Sequence, residues 1–168
     1  MMLFSDDNIK RNIKVQITDI LTKHLSKVMH KTRLGTLSLL VGSLFHAKFF
    51  SLTGLGRGLE TSAQERSAIR RVDRFMANKN VQKDRKNIYA KVCKLLVGSC
   101  KRPLIIVDWS TIPNQSPQLL RAALVTSGRA LTLYEEVHSE KKYCDPRVHS
   151  RFLLKLKSML PEDIPDVV

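Results

Sequence analysis

The segment LIIVDWSTIP (residues 104–113) runs four apolar residues into one carboxylate, Asp108, followed by Trp109 and Ser110. Such an aspartate either caps a turn at a strand end or is one part of a site whose other parts lie elsewhere. Spacing alone leaves both open. Arg66, Arg70, Arg71 and Arg74 stand at i, i+4, i+5 and i+8, so on a helix they share one stripe opposite Ile69, Val72 and Met76. That stripe is either a solvated face or a phosphate-binding surface, which Lys79, Lys83, Arg85 and Lys86 would extend. Contacts of this kind position a nucleic acid without reading its sequence.

Other reactive residue types form no recognisable constellation. His138, Cys144 and His149 follow an H-x5-C-x4-H pattern, which is not a zinc spacing. Cys93 and Cys100, seven apart on an expected helix, read as small packing hydrophobes. Glu135 and Glu136 read as solvated charges ending a strand, Trp109 as a packing residue and Ser110 as a turn former. The sequence holds no Gly-rich phosphate loop and no Ser/His/Asp or Cys/His arrangement.

The elements that would position these residues follow from apolar periodicity. Ile9, Ile13, Ile17, Ile20, Leu21, Leu25 and Val28 predict an amphipathic helix from Asp6 to about His30. A second, well-buried helix is expected over Leu34 to Phe50, then a short Gly-rich helix and turn over 51–60. A third long helix spans Ala63 to Asn78, and Asn80 would cap a last one reaching Gly98, with Ile88, Val92, Leu95 and Leu96 inward. After residue 100 the pattern changes. LIIVDW reads as a strand buried on both faces, and residues 120–126 and 130–137 flank Ser127-Gly128-Arg129 as a β-hairpin. Residues 146–160 form a helix with Phe152, Leu153, Leu156 and Met159/Leu160 inward. The final PEDIPDVV begins what reads as a further strand, so the sequence looks cut off there. The fold class expected is mixed, α+β or α/β: a helical region over 1–100, then strands and a helix over 101–168.

Charge separates the same two parts. The net charge is +14; residues 1–102 carry 21 Lys/Arg against 7 Asp/Glu, whereas residues 103–168 carry 8 of each. A basic part joined to a neutral one points to a polyanion-binding module followed by something different, and nucleic acid is the polyanion favoured. A membrane surface is disfavoured, because no helix pairs a basic face with a Trp/Phe/Leu face. Three cysteines without a framework spacing fit a reducing cytoplasm.

IRRVDRFMANKNVQKDRKNIYAKV, LIIVDWS and LLRAALVTSGRALTLYEE, in that order, resemble the DDE-type transposases of bacterial insertion sequences, specifically the insertion-sequence-four group. The likeness runs from about Arg33 to Val168. It implies an RNase H-like catalytic domain beginning β-β-β-α-β, with Asp108 as the first catalytic aspartate and a ligand of Mg²⁺. It further implies a second aspartate and a glutamate that this sequence does not contain. Cleavage and strand transfer in such enzymes use two metals about 3.5–4 Å apart, which one aspartate cannot hold in place by itself. The expectation is thus a transposase portion, catalytically incomplete, that binds double-stranded DNA at transposon ends, with intact transposase or a second copy as further partners. The alternative is a stand-alone DNA-binding regulator or inhibitor of transposition.

Overall fold

Helix-forming residues dominate as far as Val97, and two-residue alternation begins at Ile105. The computed structural model divides its architecture at the same place, describing residues 6–45, 50–98, 100–111 and 116–162, with side chains from residue 12 onward. In order come α1 (Asp6–Leu25), α2 (Lys31–Leu44), α3 (Leu52–Arg57), α4 (Glu65–Met76) and α5 (Lys79–Val97). Strands β1 (Ile105–Thr111), β2 (Gln118–Thr126) and β3 (Arg129–His138) follow, then a short 3-10 turn and α6 (Pro146–Lys157). The described chain is therefore α+β. No helix among the described residues is long and apolar enough to cross a membrane.

Two compact units emerge, Met1–Arg85 and Lys86–Val168. The boundary expected near residue 100 is the end of α5, whereas the units divide inside that helix. In the first unit α1 stops at Leu25, short of His30. The His30 ring caps α2, its Nδ1 accepting from Thr32 N–H at 3.3 Å. Leu25, Met29, Leu34, Leu40, Ala68, Val72 and Phe75 supply the buried apolar side chains. Two expectations change here. Ile20 lies on the exposed side of α1, and α2 is only half-buried, with Leu44 and Phe45 exposed. A cleft of about 510 Å³ opens along Ile13, Ile17, Met29, Leu34 and Leu39. At the start of α5 the cap is Asn78 and not Asn80: Asn78 Oδ1 accepts from Asn80 N–H at 2.9 Å.

In the second unit β1, β2 and β3 form an antiparallel sheet in that order. Gly128, at φ 77°, makes the hairpin turn in the left-handed region that glycine enters without penalty. One face of the sheet is sealed. Leu120, Ala122, Leu124 and Leu133 pack with Cys93 and Val97 of α5 and with Val148, Phe152 and Leu156 of α6. Cys93 behaves as the small hydrophobe expected of it. Its Sγ donates to Leu133 O at 3.6 Å, and burial pushes the thiol up to about 11. The α6 seam follows Val148, Phe152, Leu156 and Met159, so Leu153, expected inward, points out. β1 also departs from expectation. Among the described residues it is an edge strand with one covered face: Ile105, Val107 and Trp109 pack inward, and Leu104 and Ile106 stay exposed. Residues 163–168, where a further strand was expected, lie outside the described residues.

Gly56 marks the tightest crossing. A Cβ built there would lie 2.6 Å from Ile69 Cα, so α3 meets the α4 backbone directly. A Cβ on Gly35 of α2 would meet nothing within 4 Å. Gly56→Ala should therefore destabilise the chain by about 1–3 kcal/mol through overpacking. Gly35→Ala should stabilise it by up to about 1 kcal/mol through helix propensity. Thermal denaturation of both variants checks the opposite signs.

Candidate functional site: a basic helical surface and the surroundings of Asp108

The basic stripe forms because α4 is cleanly two-faced. Ala68, Val72 and Phe75 are buried, and Arg66, Arg70, Arg71 and Arg74 are exposed on the other side. Phe75 takes the inward place expected of Met76, which is exposed. Ile69 is half-buried against Gly56. Arg74 Nε donates to Arg70 O at 3.3 Å, and among the described residues none of the four arginines forms an ion pair. Of the acids nearby, Glu65 pairs with Arg57 at 2.8 Å and Asp84 with Arg33 at 2.8 Å, while Asp73 is exposed one helical turn from Arg70.

Lys79, Lys83, Arg85 and Lys86 are all exposed on α5. At about 100° per residue, Lys79, Lys83 and Lys86 share one side of the helix and Arg85 lies roughly a third of a turn away. Three of the four thus share one face of α5. No acidic side chain pairs with them among the described residues.

Asp108 lies in the middle of β1, not at its end, so it caps no turn; Ser110 is likewise in the strand. Its carboxylate is exposed, and Oδ1 accepts from Trp109 N–H at 2.8 Å. Across the same face the register sets Asp108 beside Arg121 and Arg121 beside Glu135. Arg121 Nε bonds Glu135 Oε2 at 3.0 Å, which leaves Asp108 as the carboxylate without that cation. Asp108 supplies the oxygen donors Mg²⁺ favours. The described residues nevertheless converge no group of three or more His, Cys, Asp or Glu side chains.

Behind Asp108, on the covered face, sits a polar cluster that alternation does not predict. Between Ala122 and Ala123 the β2–β3 register shifts, Tyr134 standing opposite Ala122 and Thr132 opposite Ala123. Leu133 is the extra residue of a β-bulge, and both Leu133 and Tyr134 are buried. Beyond the bulge the phase is inverted. Val137 faces outward at 62% exposure, while the Glu136 side chain retains only 12%. Glu136, expected to be solvated, is instead the hub of a network. It accepts from the Tyr134 hydroxyl, from Lys155 Nζ at 2.6 Å, and faces His138 Nε2 at 3.0 Å. Burial pushes its carboxyl up, but the bonds from Lys155 and Tyr134, with the charges of Lys155 and His138, outweigh that and hold it below its ordinary value.

Trp109 reaches the same region. Its Nε1–H donates to His149 Nε2 at 2.5 Å, and its ring lies 5.6 Å from those of His138 and Tyr143. His138 and His149 thus converge on one indole, and Cys144 is exposed. The Cys144 thiol pushes the Tyr143 phenol above its ordinary range, with burial and the charge of Asp108 adding to the effect. The only sequence sign of this cluster is the adjacent pair Leu133-Tyr134, two large apolar residues that a regular strand would send to opposite faces.

Comparison with family models, with curated protein sequences and with solved structures gave no match for this chain.

Glu136→Leu should lower stability by about 1–3 kcal/mol, because the buried Tyr134 hydroxyl loses its acceptor. The wild-type contribution has a defined sign in pH. A carboxyl held below its ordinary 4.5 stabilises above that value and loses the effect as pH falls through the lowered one. The gap in melting temperature between the two proteins should therefore narrow, without closing, as pH falls from 7 toward 3.

Proposed function

We propose that this chain acts in DNA transposition as the DDE transposases of the insertion-sequence-four group do. It binds duplex DNA at element ends through α4 and the start of α5, and it carries Asp108 as the first catalytic aspartate. The observation that carries the DNA-binding part is the α4 surface: four exposed arginines, unpaired among the described residues, opposite a buried apolar face. A row of cations with no acidic partner costs repulsion in the free protein, and polyanionic phosphate offsets it. The short α3 packed on α4 through Gly56 gives a helix-turn-helix-like pair, which supports presenting α4 to the duplex.

The catalytic part rests on the resemblance, supported by the β-β-β-α order and by an exposed carboxylate in mid-strand. An RNase H-like domain begins in this way. Mg²⁺ would supply nucleophile activation and charge neutralisation in a complete site; this chain's own contribution is one carboxylate on a strand held against a packed face. Of the three carboxylates the resemblance implies, Asp108 is the one in this sequence. The second reading is a stand-alone DNA-binding regulator or inhibitor of transposition, which would occupy element ends without cutting them.

Binding can be read by fluorescence anisotropy on an element-end duplex. With six to ten phosphate contacts, affinity should fall by about 10³–10⁵ between 50 and 200 mM salt. Arg70→Ala with Arg74→Ala should lower the slope of log affinity against log salt by about 2, at an unchanged melting temperature. Val72→Ala, from a fully buried position, should instead cost about 1–3 kcal/mol of stability. Salt-independent binding would remove the DNA reading.

Cleavage separates the two functional readings. The 168-residue chain should neither nick nor join element-end DNA in Mg²⁺ or Mn²⁺. A longer chain supplying the two further carboxylates should cleave, and Asp108→Asn should abolish that activity while keeping size and shape. Nicking by the present chain that disappears in Asp108→Asn would overturn its incompleteness. Cleavage untouched by Asp108→Asn would take the reaction away from this residue.

A further inference from the structure

Asp108 stands on a strand secured from few directions. Among the described residues β1 is paired on one side only, to β2, and its outward residues Ile106, Asp108 and Ser110 are exposed. The carboxylate's place therefore depends on the residues flanking it on the covered face, Val107 and Trp109. Val107 packs against the core without direction. Trp109 carries a directed bond as well: a half-buried indole N–H needs an acceptor, and His149 Nε2 provides it at 2.5 Å. Donation in that sense requires a neutral His149 with its proton on Nδ1.

His149 is itself held firmly. It follows the buried Val148 on α6, whose Phe152 and Leu156 lie in the sheet's core. The helix start is fixed by Asp145 Oδ1, which accepts from Arg147 N–H at 2.8 Å. Two residues earlier, Tyr143 sets its ring edgewise to Trp109. Cys144 between them adopts φ 55°, a left-handed conformation that a residue with a Cβ enters at a cost. Such strain persists where the surroundings fix both sides, and it concentrates at functional sites. Here one side is the ring against Trp109 and the other is the cap of α6.

We propose that Trp109 and His149 are positioning residues for Asp108: the indole–imidazole bond ties mid-β1 to α6 and so sets where the carboxylate stands. This deepens the reading of Asp108 as the first catalytic aspartate and rests on it. An indole serving only to fill space would be indifferent to the loss of its hydrogen-bond acceptor. The clamp makes the opposite demand.

The test is amide hydrogen exchange and ¹⁵N NMR on the whole 168-residue chain, with neither metal nor DNA. Trp109 is the sole tryptophan, so one indole N–H resonance reports the bond. Leu104 O accepts from Val125 N–H, and with alternation along the ladder the Asp108 and Ser110 amides face β2. His149→Phe should shift the indole resonance and speed exchange at Asp108 and Ser110 about tenfold or more. The Leu120 and Leu133 amides should stay within about twofold. His149→Gln, which keeps an acceptor, should restore most of the protection. Trp109→Phe should reproduce the loss, and it carries the test if His149→Phe does not fold. Exchange at Asp108 indifferent to both changes, or accelerated equally across the sheet, would overturn the clamp. Cleavage that requires Asp108 alongside such indifference sinks the clamp alone. Cleavage that survives Asp108→Asn sinks the reaction, and the positioning role with it.

Discussion

One extra residue in β3 governs what the second unit can offer. If β3 alternated regularly from Leu131 onward, Leu133, Glu135 and Val137 would face the core, and Tyr134, Glu136 and His138 would face out. The bulge at Leu133 keeps Leu133 inside and turns the later residues over. Tyr134 then stacks on Phe152 with ring centroids 5.0 Å apart and meets Tyr89 edge-on at 5.0 Å. Glu136 arrives on the covered face with a tyrosine hydroxyl, a lysine and a histidine already at bonding distance. The cost is Val137 in solvent. The gain is a polar cluster of defined geometry behind the strand that bears Asp108.

Local pattern made much of this legible in the sequence. The helices are spaced by strong 3.6-residue periodicity, and the hairpin is announced by Ser127-Gly128 between two apolar runs. The arginine stripe could be read because helical geometry fixes which of residues 66 to 74 share a face. Misreadings arose wherever a non-local fact decides. Whether LIIVDW is covered on two faces depends on what packs against it, and the described helices cover one. Leu153 and Leu156 look equivalent in composition, and only the Val148–Phe152 seam separates them. Asn78 and Asn80 are both good caps, and a two-residue difference in helix start chooses between them.

The neighbourhood of Asp108 shows the same limit. Its carboxylate and the residues behind it come from β1, β3, the turn after β3 and α6, so no linear spacing could reveal them. His138 and His149 look like a poor metal pair in sequence. In the structure they flank an indole, a role for which no spacing rule exists. The basic surface, by contrast, belongs to single helices and was visible from residue order.

α5 carries a consequence for how the chain melts. It is continuous from Lys79 to Val97, yet the division between units falls after Arg85, with Asp84 bound to Arg33 on one side and Cys93 and Val97 in the sheet's core on the other. Neither portion exceeds the roughly 12–15 residues at which a helix becomes even marginal alone. Loss of either unit strips one portion of its packing and frays the other from its new end. Denaturation should thus be cooperative across a boundary that looks like a domain border, and a cut at residue 100 would deprive the sheet of the helix that seals it.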